Sequence, residues 1–118
     1  MSASRKLLVG SITAVLLATT AGEGLAQTYT VKATSGDAWK KVHTYIGKGD
    51  SVRWKNPDTE THDLTAYGGG WKVNEQLAPG DTFKKRFRKK GTFRYRCVIH
   101  SGIVSGACQG MCGFVHVL

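Results

Sequence analysis

The chain has 118 residues, of which 17 are Lys or Arg and 8 are Asp or Glu, so its net charge is +9. This length leaves room for one domain and excludes large multidomain enzymes. The charge is compatible with a partner or surface that carries negative charge.

The first 26 residues have the order of a secretory signal peptide. Arg5 and Lys6 precede an apolar run over residues 7–18, and small residues follow it. That run is about a dozen residues long, whereas a membrane-spanning helix needs roughly 20. We therefore predict cleavage after Ala26, with a cut after Ala21 as the alternative, and a mature chain without a transmembrane span.

The mature domain would cover residues 27–118 and carry a net charge of +8. Export places it in the periplasm, outside the cell or at the cell envelope, where disulfides persist. An odd number of cysteines leaves one thiol with another role. The three cysteines are Cys97, Cys108 and Cys112.

Short β-rich runs follow the leader, and Gly- or Pro-containing turns separate them. Breakers spaced about 8–12 residues apart favour an all-β sandwich. One short turn of helix is expected within residues 66–77. The predicted strands cover residues 29–34, 42–47, 51–55, 92–97 and 113–118.

The side chains in these runs alternate as half-buried strands require. Val52 and Trp54 share one face of their strand, with basic residues on the other. Phe93, Tyr95 and Cys97 likewise share one face. Cys97 is therefore predicted to lie on the core side, at the end of its strand.

Four side chains then offer a specific set of metal donors: His62, Cys97, His100 and Met111. A trigonal site of two imidazoles and a thiolate, with a weak axial thioether, is the arrangement of electron-transfer copper proteins. Zinc more often takes Cys₂His₂ or Cys₄ sets. The residue types therefore predict a single copper ion.

In chain order the sequence contains GDSVRW (49–54), Asn56, His62, Pro79-Gly80, Phe83, Phe87, GTFRYRC (91–97), His100, MCG (111–113) and VHV (115–117). By these motifs nearly the whole mature chain, from about residue 28 to 118, resembles plastocyanin-like cupredoxins. The resemblance implies a Greek-key β-sandwich with one type 1 copper at one end, which shuttles electrons. In that family pattern His62 and His100 supply ring nitrogens, Cys97 the thiolate and Met111 the axial sulfur.

One departure from the family pattern is the distance from His100 to Met111. Ten residues separate the two, and in plastocyanins this loop is much shorter. Cys108 and Cys112 flank Met111, and we expect them to form a disulfide that pins the extra residues near the metal. A bridge with this short spacing is geometrically demanding.

Other residues are assigned supporting roles. Asp63 is expected to accept backbone N–H bonds from the segment between Cys97 and His100. The resemblance implies that His100 lies near the surface, and Ile103 and Val104 would form an apolar rim for docking beside it. His43 and His116 are predicted to be structural.

The basic cluster at residues 84–90 has two interpretations. It is either a solvated strand and turn or a surface that steers an acidic redox partner. Nucleic acid is not an expected partner, because the chain is predicted to be exported and contains no recognised nucleic-acid motif.

The predicted function is a monomeric one-electron carrier between redox partners, not an enzyme, because no hydrolytic triad or carboxylate pair is visible. The alternative is copper delivery or storage without redox turnover. A copper-free interaction module is a further alternative, and the complete ligand set argues against it.

Overall fold

The computed structural model describes residues 25–118, so the predicted signal peptide lies almost entirely outside the described residues. The described part forms eight strands, and it contains no helix that could cross a membrane. The strands are β1 (Thr28–Lys32), β2 (His43–Ile46), β3 (Ser51–Lys55), β4 (His62–Tyr67), β5 (Asn74–Leu77), β6 (Thr82–Arg86), β7 (Gly91–Val104) and β8 (Ala107–Val117).

The strands form two sheets, as the sequence predicts for an all-β sandwich. One sheet has the order β1-β3-β6, and the other has the order β2-β8-β7-β4-β5. The pairs β1/β3 and β2/β8 are parallel, and the remaining pairs are antiparallel. The prediction of a short helical turn within residues 66–77 is wrong. β4 and β5 form an antiparallel pair, and the residues between them form a turn without helix.

Aromatic side chains from both sheets fill the core. Trp54 of β3 meets Tyr95 of β7 edge to face, with ring centroids 5.3 Å apart. Trp39 meets the same Tyr95 ring at 5.3 Å. Val52, Trp54, Tyr95 and Cys97 are fully buried, which confirms the predicted alternation in both strands. Burial of each large apolar side chain contributes roughly 1.5–3 kcal/mol.

β7 and β8 form one long hairpin, and this corrects the predicted loop between His100 and Met111. The ladder resumes at the pair Ser101 and Gly110 and continues to the pair Val104 and Ala107. Ser105 and Gly106 both have positive φ, at 52° and 80°, as a two-residue hairpin turn requires. The ten residues after His100 therefore extend the two strands instead of forming an open loop.

The hairpin ladder is interrupted at one place, between Arg96 and Ser101. Arg96 pairs with Cys112 and Ser101 with Gly110, so residues 97–100 bulge out opposite the single residue Met111. A β-bulge bends its strand and re-aims its side chains. Here it carries both Cys97 and His100.

Gly110 permits the close approach of the two strands at this bulge. Its φ is +101°, and a Cβ at this position would lie 2.5 Å from the carbonyl oxygen of His100. Few residues other than glycine adopt such a φ without strain.

We predict that Gly110→Ala lowers the free energy of unfolding by about 1–3 kcal/mol, because it adds both backbone strain and a steric clash. Urea unfolding measures this loss. Gly102→Ala is the matched control, because a Cβ at Gly102 meets no atom within 4 Å and its φ is not positive. The change at Gly102 should stay within about 0.5 kcal/mol. Equal stability of the two variants would contradict the role of Gly110.

Candidate metal centre

His62, Cys97 and His100 converge at one end of the sandwich, with one donor atom from each within 4.8 Å of the others. The Cys97 Sγ atom lies 3.8 Å from His62 Nδ1 and 3.5 Å from His100 Nδ1. Metal bonds of about 2.0–2.3 Å in a trigonal arrangement place two donors roughly 3.5–3.9 Å apart. The observed spacing therefore fits one ion shared by the three side chains.

His62 is the first residue of β4, and its ring is fully buried. Its Nε2 atom lies 3.0 Å from the Asp58 carboxylate. With Nε2–H donating to Asp58, the Nδ1 lone pair is left facing Cys97, which is how carboxylates orient metal-binding imidazoles. The hydrogen bond from His62 lowers the pKa of Asp58 below its ordinary value.

Sequence reasoning missed Asp58. The available signal was an acidic residue four positions before a ligand histidine, within a turn that contains Asn56 and Pro57. Asn56 is itself buried and holds this turn in place. Its amide donates to the carbonyl oxygens of Glu60 and Leu77, both at 2.8 Å, and its side-chain oxygen accepts the Asp58 N–H at 3.0 Å.

The Cys97 thiol is fully buried in the core. Burial raises its pKa above the ordinary value, so the thiolate needs a nearby cation to be favoured. The Asp63 N–H donates to Sγ at 3.4 Å. Such hydrogen bonds to a ligand sulfur adjust the electronic properties of a copper centre.

Asp63 accepts the bulge hydrogen bonds that the sequence suggests. Its Oδ1 accepts the Val98 N–H at 3.0 Å, and its Oδ2 accepts the Ile99 N–H at 3.3 Å. The Thr65 hydroxyl also donates to Oδ1, at 2.7 Å. Partial burial acts to raise the pKa of Asp63, but these hydrogen bonds outweigh it and the pKa is lowered.

His100 is the one residue of the three that reaches the surface, with its side chain 20% exposed. Its outward Nε2 lies 3.4 Å from Asp37 Oδ1 and 3.8 Å from Glu60 Oε1. Exposed apolar side chains lie on the same hairpin. They are Val98, Ile99, Ile103 and Val104, and the last two are the residues expected from the sequence to form an apolar rim.

Met111 is fully buried and lies across the hairpin from the bulge. Its carbonyl oxygen accepts a hydrogen bond from Trp39 Nε1 at 3.3 Å. Cys108 and Cys112 form the expected disulfide, which leaves Cys97 as the free thiol of the described residues. His62, Cys97 and His100 thus form the donor cluster of a candidate type 1 copper site, and Met111 lies across the hairpin from it.

Neither protein-family models nor curated protein sequences give a match to this chain. Solved structures do match its fold. A purple cupredoxin from Nitrosopumilus maritimus is 22% identical with a TM-score of 0.60, and the match covers 76% of this chain and 99% of that one. The oxidised form of a methionine-to-lysine variant of amicyanin is 18% identical with a TM-score of 0.64, covering 77% of this chain and 82% of that one.

The Cu(I) form of a methionine-to-alanine variant of amicyanin also matches. It is 19% identical with a TM-score of 0.64, over 83% of this chain and 89% of that one. These likenesses show that the chain has the cupredoxin fold, in agreement with the resemblance found in the sequence.

We predict that Asp63→Ala destabilises the bulge by roughly 1 kcal/mol, because the N–H groups of Val98 and Ile99 lose their acceptor. Amide hydrogen exchange at these two residues should become roughly fivefold faster. Asp63→Asn keeps one acceptor oxygen, so its exchange rates at Val98 and Ile99 should lie between those of the unaltered protein and those of Asp63→Ala. Unchanged exchange at Val98 and Ile99 in the alanine variant would show that Asp63 does not hold the bulge.

Proposed function

We propose that this protein is a one-electron carrier whose copper is held by His62, Cys97 and His100, with Met111 as the axial ligand. The observation that carries the proposal is a cluster of two imidazoles and one thiol in which His62 and Cys97 are buried and only His100 reaches the surface. A bound copper would supply the one-electron chemistry by changing between Cu(I) and Cu(II).

The protein's part in this function is to keep the ligands in place. Asp58 orients the His62 ring, and Asp63 accepts backbone hydrogen bonds from the bulge that carries Cys97 and His100. Ligands that are held by packing and hydrogen bonds move little when the charge of the site changes. A small change in ligand positions between the two charge states favours electron transfer. The proposal does not include an enzymatic activity.

Burial of the donors also bears on the alternative of copper delivery. His62, Cys97 and Met111 have no exposed surface, whereas a delivery site exchanges its ion with a partner and needs accessible donors. Delivery would therefore require a movement that exposes these donors. The carrier function needs no such movement.

The proposed partner is a redox protein that docks over His100. The net charge favours an acidic partner at long range, but the charges are unevenly placed. Arg88, Lys89 and Lys90 precede the start of β7, whereas Cys97 lies six residues along it, about 20 Å away. Next to His100 stand Asp37 and Glu60. A partner at this edge would meet the apolar rim and these two carboxylates.

We further propose that the protein works outside the cytoplasm as a monomer. The predicted signal peptide supports export. The Cys108–Cys112 disulfide supports it independently, because such bonds persist in oxidising compartments.

The carrier function predicts reversible one-electron voltammetry of the copper-loaded protein with retention of copper. The buried ligands should keep the ion through repeated cycles, even when a Cu(I) chelator is present. The Cys97→Ser variant is the control and should lose the intense visible colour, because the thiolate supplies that absorption. Transfer of copper from the unaltered protein to the chelator within a few cycles would instead favour delivery.

Substitution of Met111 tests the axial position by the sign of the change in reduction potential. Met111→Gln introduces a harder oxygen donor that favours Cu(II), so the potential should fall. Met111→Leu keeps the volume but removes the donor, so the potential should rise. Voltammetry of the two variants measures both shifts. If neither variant changes the potential or the visible spectrum, Met111 is not an axial ligand.

A further inference from the structure

Two histidines outside the metal centre meet on the outer face of the five-stranded sheet. His43 lies on β2 and His116 on β8, and these strands are parallel neighbours. His43 pairs with Phe114, and Tyr45 pairs with His116, so the two imidazoles are diagonal neighbours on one face. The His43 Nδ1 and His116 Nε2 atoms lie 2.9 Å apart.

We propose that His43 and His116 form a second metal site, which binds a divalent transition-metal ion through these two nitrogens. Two imidazole nitrogens with metal bonds of about 2.0–2.1 Å lie roughly 2.9–3.3 Å apart for bond angles near 90–109°. The observed separation of 2.9 Å lies within this range. Imidazole pairs suit Cu²⁺, Ni²⁺ and Zn²⁺, with Cu²⁺ bound most strongly.

Aromatic neighbours hold both rings in position. The His43 ring stacks on Phe114 with centroids 4.6 Å apart and planes 6° from parallel. The His116 ring stacks on Tyr45 at 4.4 Å and 23°. Rings that are already ordered lose less conformational freedom when a ligand binds.

Thr92 contacts the other ring nitrogen of His116. The Thr92 hydroxyl lies 3.3 Å from His116 Nδ1, on the far side of the ring from His43. With Nδ1–H donating to this hydroxyl, Nε2 presents a lone pair, and outer partners of this kind fix the tautomer of metal-binding histidines. Burial and the nearby His43 also lower the pKa of His116, which favours the neutral ring.

Metal binding at the pair replaces one hydrogen bond. With the His116 proton on Nδ1, the metal-free contact is a hydrogen bond from His43 Nδ1–H to His116 Nε2. On metal binding the His43 proton moves to its Nε2, which leaves both facing nitrogens free to coordinate. Water would complete the coordination, since His43 is exposed. His116 is five residues from Met111 along β8, roughly 17 Å, so this ion would be separate from the one at Cys97.

The test uses copper-loaded protein in the reduced, diamagnetic form, with Zn²⁺ as the probe. We expect calorimetry to show one more Zn²⁺ bound per chain than in His43→Phe or His116→Phe. Phenylalanine keeps the ring stacking and removes the donor, and each variant should bind this Zn²⁺ at least tenfold more weakly. In the unaltered protein, Zn²⁺ should shift the NMR signals of both imidazoles. Tyr45→Phe, which changes the same cluster but no donor, should bind like the unaltered protein.

Equal Zn²⁺ binding by the unaltered protein and either phenylalanine variant would overturn the proposal, as would the absence of shifts at both imidazoles. Because only the difference between proteins is counted, Zn²⁺ bound elsewhere does not affect the result. The outcome is also independent of the copper centre, whose visible spectrum is recorded separately in each variant.

Discussion

The bulge at residues 97–100 is the constraint on which the metal centre depends. Without it, β7 and β8 would pair continuously, and Cys97 and His100 would point to opposite faces, since three positions separate them in a period of two. The bulge turns both donors toward His62 and places Met111 across from them. Gly110 makes this geometry possible, because its missing side chain lets the His100 carbonyl approach.

Polar side chains hold the bulge and its surroundings in one arrangement. Asp63 satisfies two backbone N–H groups that the interrupted ladder leaves without partners, and its own N–H reaches the Cys97 sulfur. Asn56 fixes the turn that brings Asp58 to His62. Each such hydrogen bond contributes only about 1 kcal/mol to stability, but leaving a buried polar group unpaired costs more. The arrangement is therefore well suited to ligands that keep their positions.

The sequence predicts the sandwich and most of the site because local patterns control them. Alternation identifies the buried faces of β3 and β7, and the order of His, Cys, His and Met identifies the candidate donors. The hairpin beyond His100 is not foreseen in the sequence, because the family pattern places a loop between the His and Met ligands and the bulge interrupts the alternation of β7. Asp58 and the His43–His116 pair were missed as contacts for another reason. The Asp58–His62 contact depends on a turn conformation, and the His43–His116 contact depends on the parallel register of β2 and β8. Sequence periodicity encodes neither feature.

The most direct test of the central claim is the visible and electron paramagnetic resonance spectrum of the purified protein loaded with Cu(II). A buried thiolate and two imidazoles around the ion predict an intense visible band together with narrow copper hyperfine splitting. A weakly coloured complex with wide splitting, or no binding of copper, would contradict the claim that Cys97 and the two histidines form a type 1 centre.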